Sequence, residues 1–350
     1  MIRVLVTAMG GGGHGEQILK ALRTAEKGRY WIAGADANPA CPQFDMVDQR
    51  AVLPLANSPA YMDELFALIS RYRIQALFHG CEPELRLFAK HRQEIEALGV
   101  FLPVNPTPVI DLCMDKEKTN RRLLELGFEA PRFAVVEGDA DLASIDWFPV
   151  VVKPSLGGGG SANVYIAQNP CELAGLAKYL NLGANDIKFF LQEYVGTPDA
   201  EYTVGVLHDM DGQYINSIAV KRMLSGQLSI RTSVANTTGR RELGPRLVIS
   251  SGISQGEIDR FPEVAETCQA IAKAIGAKGP VNIQCRVVNR VVQVFEINPR
   301  FSGTTSLRAM VGYNEPDVLV RKHLLHETVP VGFPYGKGLI LRNLTEHYYG

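Results

Sequence analysis

Apolar positions along the chain change their spacing several times, and each change predicts an element. Residues 2–7 (IRVLVT) form a short β-rich run, glycines and His14 fill positions 10–15, and Glu16–Ala25 then carries Ile18, Leu19, Ala21 and Leu22 at helical spacing. A second strand is expected over Trp31–Ala35, a helix over Tyr61–Tyr72 and a third strand over Ala76–His79. Strands alternating with helices predict a parallel α/β unit over roughly the first 110 residues, with its edge at Asn105-Pro-Thr-Pro108. A helix from about Asp115 to Leu126 follows, stopped by Gly127 and Pro131.

Beyond that point the pattern changes character. Strands are expected over 133–136, 149–153, 163–167, 188–193, 201–207, 214–220, 281–287 and 291–298, with one long helix over 262–276. Many strands with few helices between them predict mainly antiparallel sheets and an α+β arrangement. The expected units are 1–112, 113–190 and 191–350.

Charge narrows the partners: 36 basic against 37 acidic side chains leave a net charge of −1 over 350 residues, so summed charge draws neither nucleic acid nor an anionic membrane. Six scattered cysteines without a CxxC pair read as reduced thiols rather than a disulfide or zinc framework. The opening apolar run is too brief for a secretory signal, and no run approaches a membrane span, so a cytoplasmic location is expected.

Candidate chemistry lies in four segments. The turn Gly10–Gly15, with Asp36 some twenty positions on, suits either a dinucleotide pyrophosphate and ribose or simple close packing of strand on helix. Lys153 stands alone on the apolar run Phe148–Pro154, where an ammonium needs a counter-charge, and Gly157, Gly158, Gly159, Gly160 and Ser161 follow with backbone amides able to close over phosphate oxygens. The apolar strand with Gln192, Glu193, Tyr194 and Val195, and then Glu201, offers an adenine slot and a ribose acceptor, or merely solvated strand-end acids.

In the fourth segment Val281, Ile283, Cys285, Phe295 and Ile297 alternate with Asn282, Gln284, Arg286, Glu296 and Asn298, one face for a core and one for a site. Gln284, Glu296 and Asn298 are hard oxygen donors suited to Mg²⁺. Pairing Gln284 with Glu296 requires an odd-length hairpin loop or a bulge near Arg290. Lys221, Arg222, Arg300 and Arg308 suit a phosphate or a substrate carboxylate, while His323 and His326 read as a helix cap rather than a metal pair.

In order and spacing these segments resemble the ATP-grasp superfamily, within it the carbamoyl-phosphate-synthase-like carboxylate–amine ligases. The resemblance spans nearly the whole chain, from the glycine-rich start through Met114-Asp-Lys116, Val-Val-Lys153-Pro and Glu-Ile-Asn-Pro-Arg300. It implies an N-terminal Rossmann-like α/β domain followed by an α+β two-part ATP-grasp unit. It also implies that Lys116 and Lys153 hold ATP phosphates, that Glu193, Tyr194 and Val195 surround adenine, and that Glu201 takes the ribose. By the same resemblance Gln284, Glu296 and Asn298 bind two Mg²⁺ ions, with Mn²⁺ as a substitute, and Arg300 stabilises an acyl phosphate. Small-molecule carboxylate and amine substrates are implied, with Glu82, Glu84 and Arg222 as candidate contacts, and a homodimer is the default. The namesake's second ATP-grasp unit and glutaminase portion have no counterpart in this sequence. Two other functions compete: an NAD(P)-dependent oxidoreductase built on the first glycine turn, and a nucleotide-binding protein without catalysis.

Overall fold

The computed structural model describes residues 1–136, 139–156, 163–181 and 188–348. Strands β1 (Ile2–Val6), β2 (Tyr30–Asp36), β3 (Gln49–Val52) and β4 (Ala76–Phe78) form a parallel sheet in the order β3-β2-β1-β4. Helix α1 (His14–Arg23) begins two residues earlier than periodicity predicts, and α2 spans Tyr61–Tyr72 as predicted. The glycine turn is compact for a steric reason. A Cβ on Gly15 would lie 2.5 Å from the Ala8 carbonyl oxygen, and one on Gly80 would lie 2.1 Å from that of Thr7. Only glycine allows strand, turn and helix to approach so closely. Strand β3 escapes sequence reading because none of its residues is buried.

A four-stranded antiparallel sheet follows, β5 (Phe133–Val136), β6 (Val150–Pro154), β7 (Tyr165–Ala167) and β8 (Phe189–Glu193), in the order β5-β8-β6-β7. It encloses its own core of Val136, Val150, Val152, Leu173, Phe189 and Leu191. The expected boundary between 190 and 191 is corrected here, since it cuts β8, whose residues through Glu193 pair with β6.

The third sheet is antiparallel and six-stranded, built from β9 (Glu201–His208), β10 (Tyr214–Arg222), β13 (Gly256–Asp259), β14 (Pro280–Val288), β15 (Val291–Asn298) and β16 (Gly338–Ile340), with β9 and β14 inside it. A separate hairpin, β11 (Ile230–Ala235) and β12 (Arg246–Ser250), leaves it after β10. Helix Pro262–Ala274 covers one face through Val264, Cys268 and Ile271, which pack on Val204, Val206, Val281 and Ile283. Val4, Val6, Ile18 and Leu19 share another core with Ile218, Val220, Leu307 and Leu319. The parallel domain is thus joined to the large sheet by a common apolar core. Polar ties reinforce it: Arg29 and Tyr30 bond Asp317, and Asn105 Nδ2 donates to the carbonyls of Pro280 and Pro299. Among the described residues no helix is long and apolar enough to cross a membrane.

Candidate functional site

The large sheet's register puts the predicted polar residues on one face. Gln284 lies opposite Glu296 and Asn282 opposite Asn298, while Thr203 and Glu201 on β9 face Gln284 and Arg286. The bulge needed for this is present, but not near Arg290. Asn289 and Arg290, with φ of 51° and 67°, make a regular two-residue turn between Val288 and Val291. The register shifts farther along, between Gln284 and Cys285, leaving Phe295 as the extra residue on β15. This corrects the expected core set: Val292, Val294 and Ile297 enter the core, whereas Phe295 lines the site.

Phe295 also turns its carbonyl to the site, where Lys153 Nζ donates to it at 3.2 Å. Lys153 Nζ donates as well to Gln192 Oε1 at 2.8 Å, Gln192 Nε2 to Asn120 Oδ1 at 3.2 Å, and Asn120 Nδ2 to the Lys116 carbonyl at 2.7 Å. This chain of bonds fixes the two lysine-bearing segments relative to each other. Burial, then the neighbouring Lys116 charge, pushes the Lys153 ammonium down to about 7 against the pull of Glu296. Lys116 is lowered too, first by burial, with Glu296, Glu82 and Asp115 opposing. Two cations held together out of water make a site that favours an anion.

Lys116, Lys153, Glu193, Tyr194, Val195, Glu201, Gln284 and Glu296 all line one cavity of about 90 Å³ between the four-stranded and six-stranded sheets. Val151, Val164, Val248, Ile249 and Phe295 supply its apolar walls. The Tyr194 side chain does not enter it freely: its hydroxyl accepts from the Val248 amide at 2.8 Å, and Arg286 stacks on its ring. The Val195 backbone N–H makes no hydrogen bond among the described residues and is the open donor of this slot. Glu193 is paired with Arg240 at 3.0 Å, which pins the β11–β12 connection to the small sheet.

Glu201 is clamped between Arg222 at 3.0 Å and Arg286 at 2.9 Å, all three deeply buried. Burial, the largest single influence, opposes ionisation, yet Arg286, Arg222 and Ser250 together hold this carboxyl below its usual range. Arg222 is therefore Glu201's buried partner, not a substrate contact; this corrects the expectation.

Other expected residues are not brought to this cavity. Lys221 pairs with Tyr202 and so shares the opposite face of the sheet. Arg308 is buried against Glu315 at 3.2 Å and bonds Asn282 Oδ1 at 2.7 Å, in space left by the absent side chain of Gly205. Glu84 accepts from Tyr61 at 2.6 Å, Thr7 at 2.7 Å and the Gly80 amide, and burial raises its pKa. These three are corrections: Arg308 and Glu84 serve the fold, and Lys221 lies on the face of the sheet away from the site.

The remaining candidates lie beside or outside the cavity. Arg300 and Glu82 stand at its margin, paired at 3.1 Å, with Arg300 also donating to Asn298 Oδ1 at 3.0 Å. His323 Nε2 accepts the Met210 amide. Gly157, Gly158, Gly159, Gly160 and Ser161 lie outside the described residues. Asp36 accepts from the Gly10 and Asn38 amides at 2.7 and 2.9 Å, so its carboxylate holds the glycine turn itself.

Sequence reasoning missed Asn120, which links the lysines, and the β11–β12 hairpin, whose Val248, Ile249 and Ser250 wall the cavity. The alternation of Ile230, Thr232 and Val234 was the available signal for the hairpin.

The donor set fits a divalent ion only in anionic company. Glu296 is its one carboxylate, and among the described residues no group of three or more His, Cys, Asp or Glu is placed to hold a metal ion. The Gln284 side chain has no hydrogen bond to any described residue and is open to a ligand. Asn298 turns its amide nitrogen to Glu296 at 3.0 Å and its oxygen to Arg300. One carboxylate with amide oxygens suits Mg²⁺ bound chiefly through nucleotide phosphates.

Comparison with known proteins agrees with this arrangement. Residues 187–346 match the family described as ATP-grasp in the biosynthetic pathway with Ter operon, and residues 4–103 match the PylC-like N-terminal domain. The stretch similar to an ATP-grasp domain thus follows the stretch similar to a PylC-like N-terminal domain. More particularly, it is 25% identical over 302 residues to the carbamoyl phosphate synthase large chain of Thermoplasma acidophilum, covering 84% of this chain and 27% of that protein. The chain thus spans about a quarter of that relative's length.

Two solved structures share the fold. The L-amino acid ligase from Bacillus licheniformis matches with a TM-score of 0.65 at 18% identity, over 93% of this chain and 74% of that one. The N5-carboxyaminoimidazole synthetase from Staphylococcus aureus, complexed with ADP, matches with 0.63 at 16%, over 97% and 80%.

Proposed function

We propose that this protein is an ATP- and Mg²⁺-dependent carboxylate–amine ligase of small molecules, with Lys116, Lys153, Arg300 and the Gln284–Glu296 pair as its machinery. The observation carrying this reading is that Lys153 and Lys116 meet Glu296, opposite Gln284, in a single cavity walled by apolar residues. The Bacillus licheniformis structure is named an L-amino acid ligase, and that from Staphylococcus aureus is named as complexed with ADP.

In this reading a substrate carboxylate oxygen attacks the γ-phosphorus of ATP, the bond to the β-phosphate oxygen breaks, and ADP leaves. The amine then attacks the acyl carbon, its proton is lost and phosphate departs. Lys153 and Lys116 orient the phosphates, the Val195 N–H donates to adenine, and Arg300 takes up charge growing on the transferred group. Glu296 and Gln284, with Asn298 once Arg300 releases its oxygen, would hold Mg²⁺, which would neutralise phosphate charge. Two ions, with Mn²⁺ as a substitute, belong to the same proposal. So do the three units 1–112, 113–193 and 194–350, a cytoplasmic location and a homodimer.

The test is a coupled assay of ADP release over pairs of carboxylates and amines. Release of ADP and phosphate that needs both partners and vanishes in Glu296→Ala supports the reading. Formation of AMP and pyrophosphate, or ATP binding without turnover over a broad panel, overturns it.

A further inference from the structure

Beside the nucleotide cavity lies a larger one of about 1030 Å³, between the glycine turn of the N-terminal domain and the strand ends of the large sheet. Glu82 and Met114 line it together with the smaller cavity that holds Lys116, Glu296 and Asn298, so the two spaces adjoin. Its charged lining is uneven: Arg86, Arg231 and Arg300 against Glu82 alone. Glu82 is already engaged by Arg300. Arg231, on β11, has no hydrogen bond or ion pair among the described residues, and Arg86, on helix Glu82–Lys90, has only a contact from Nε to Met114 Sδ at 3.3 Å. Two guanidinium groups, one from each side of the cavity, are therefore left without a carboxylate. The histidine on this wall adds no charge, because burial, then Arg300 and His79, hold His14 well below its ordinary pKa.

We propose that this cavity takes a co-substrate with two carboxylates, the unreacting one held between Arg86 and Arg231 while the reacting one lies toward Arg300 and the nucleotide. The proposal rests on the ligase reading for the role of the reacting end, and names the substrate class that reading leaves open. Guanidinium is suited to this selection, since its planar fork matches a carboxylate and an exposed arginine keeps its charge at every working pH. A monocarboxylate would leave both arginines unmatched. Arg231 sits on the hairpin that Arg240 ties to Glu193 of the nucleotide slot, so the part of the chain reading the distal carboxylate is continuous with the part lining the nucleotide cavity.

The test is titration calorimetry of the full chain with glutarate and, as the monoanion probe, butyrate, with Mg²⁺ and ADP present. Glutarate is expected to bind at least ~10-fold more tightly than butyrate, the scale of one charge-assisted contact. Arg231→Ala and Arg86→Ala should each weaken glutarate by ~10-fold or more and leave butyrate and ADP within about twofold, since each loses one such contact to the distal end alone. Both arginines are exposed, so the melting temperature reports that the variants are folded.

Equal affinity for the two probes, or no glutarate binding, overturns the proposal. Equal weakening of glutarate and ADP overturns it as well, by assigning the arginines to the nucleotide. The two readings fail separately. Glutarate binding without ADP release for any substrate pair keeps this site and sinks the ligase. Turnover of monocarboxylates that is indifferent to both variants does the reverse.

Discussion

Lys153 Nζ lies 2.8 Å from Gln192 Oε1, across the two adjacent strands β6 and β8, and it is almost completely buried. A neutral amide satisfies its geometry but not its charge, which is why burial and Lys116 pull its pKa to about 7. The pair is complete as hydrogen bonding and incomplete as electrostatics.

Proton uptake on nucleotide binding follows. Phosphate oxygens beside Lys153 favour the ammonium, so ATP binding at pH 8 should take up a proton, and affinity should fall by up to ~10-fold per pH unit as pH rises through 7 toward 9. Calorimetry in buffers of different ionisation enthalpy measures the uptake, which Lys153→Met should abolish. The stability sign is also set. The folded pKa, about 7, lies below the ordinary 10.5, so between those values the unfolded chain binds more protons and stability rises with pH. Lys153→Met should flatten that rise; an unchanged slope would assign it to other groups.

Glu201 is the counterpart on the acidic side. Glu201→Gln leaves Arg222 and Arg286 buried against a neutral amide, and loss of about 3–5 kcal/mol is expected in urea unfolding, because breaking a buried ion pair exposes the full desolvation cost of its partners. The wild-type carboxyl is held low, so its contribution is present above the ordinary carboxylate value and lost as pH falls through the folded one. Stability of Glu201→Gln should therefore depend less on pH below about 4.5 than that of the wild type. A loss under about 1 kcal/mol would show that the arginines find other partners.

How far the sequence carried these conclusions depends on the kind of signal. Alternation on β14 and β15 was legible because side chains alternate between core and site, and the mismatch in register demanded an odd-length loop or a bulge; that it is a bulge, and that it falls at Phe295 and turns that ring to the site, is set by packing. Lys153 was legible as a charge on an apolar strand. Lys221 and Arg308 were not, since adjacent residues on a strand face opposite ways and an arginine's partner, here Glu315, is decided by packing. Glu84 looked like a substrate contact because Tyr61 and Thr7, which consume it, are far from it in sequence.

Glu296 should be separable from the rest of the cavity. Glu296→Gln keeps the side-chain shape and Asn298's neighbour while removing the only carboxylate of the donor set, so ADP release should fall by about 100-fold or more. The Mg²⁺ concentration for half-activation should rise, with the melting temperature near that of the wild type. Gln284→Ala should raise the Mg²⁺ requirement more mildly, having no charge to lose. Unaltered Mg²⁺ dependence in both would remove this pair from metal binding.

The glycine turn supplies the last discrimination. In a dinucleotide site Asp36 would hold a ribose, and Asp36→Ala would abolish NAD(P) binding with little effect on the fold. In this structure both of its oxygens are committed to backbone amides, Gly10 at 2.7 Å and Asn38 at 2.9 Å, and a Cβ on Gly10 would lie only 3.1 Å from its Oδ2. Asp36→Ala should therefore lower unfolding free energy by about 1.5–3 kcal/mol, the range for hydrogen bonds to a charged group, and leave the ATP dissociation constant unchanged. The wild type should show no saturable NAD(P) binding by fluorescence titration. Saturable NAD(P) binding that disappears in Asp36→Ala without loss of stability would return the turn to nucleotide recognition and make the packing explanation wrong.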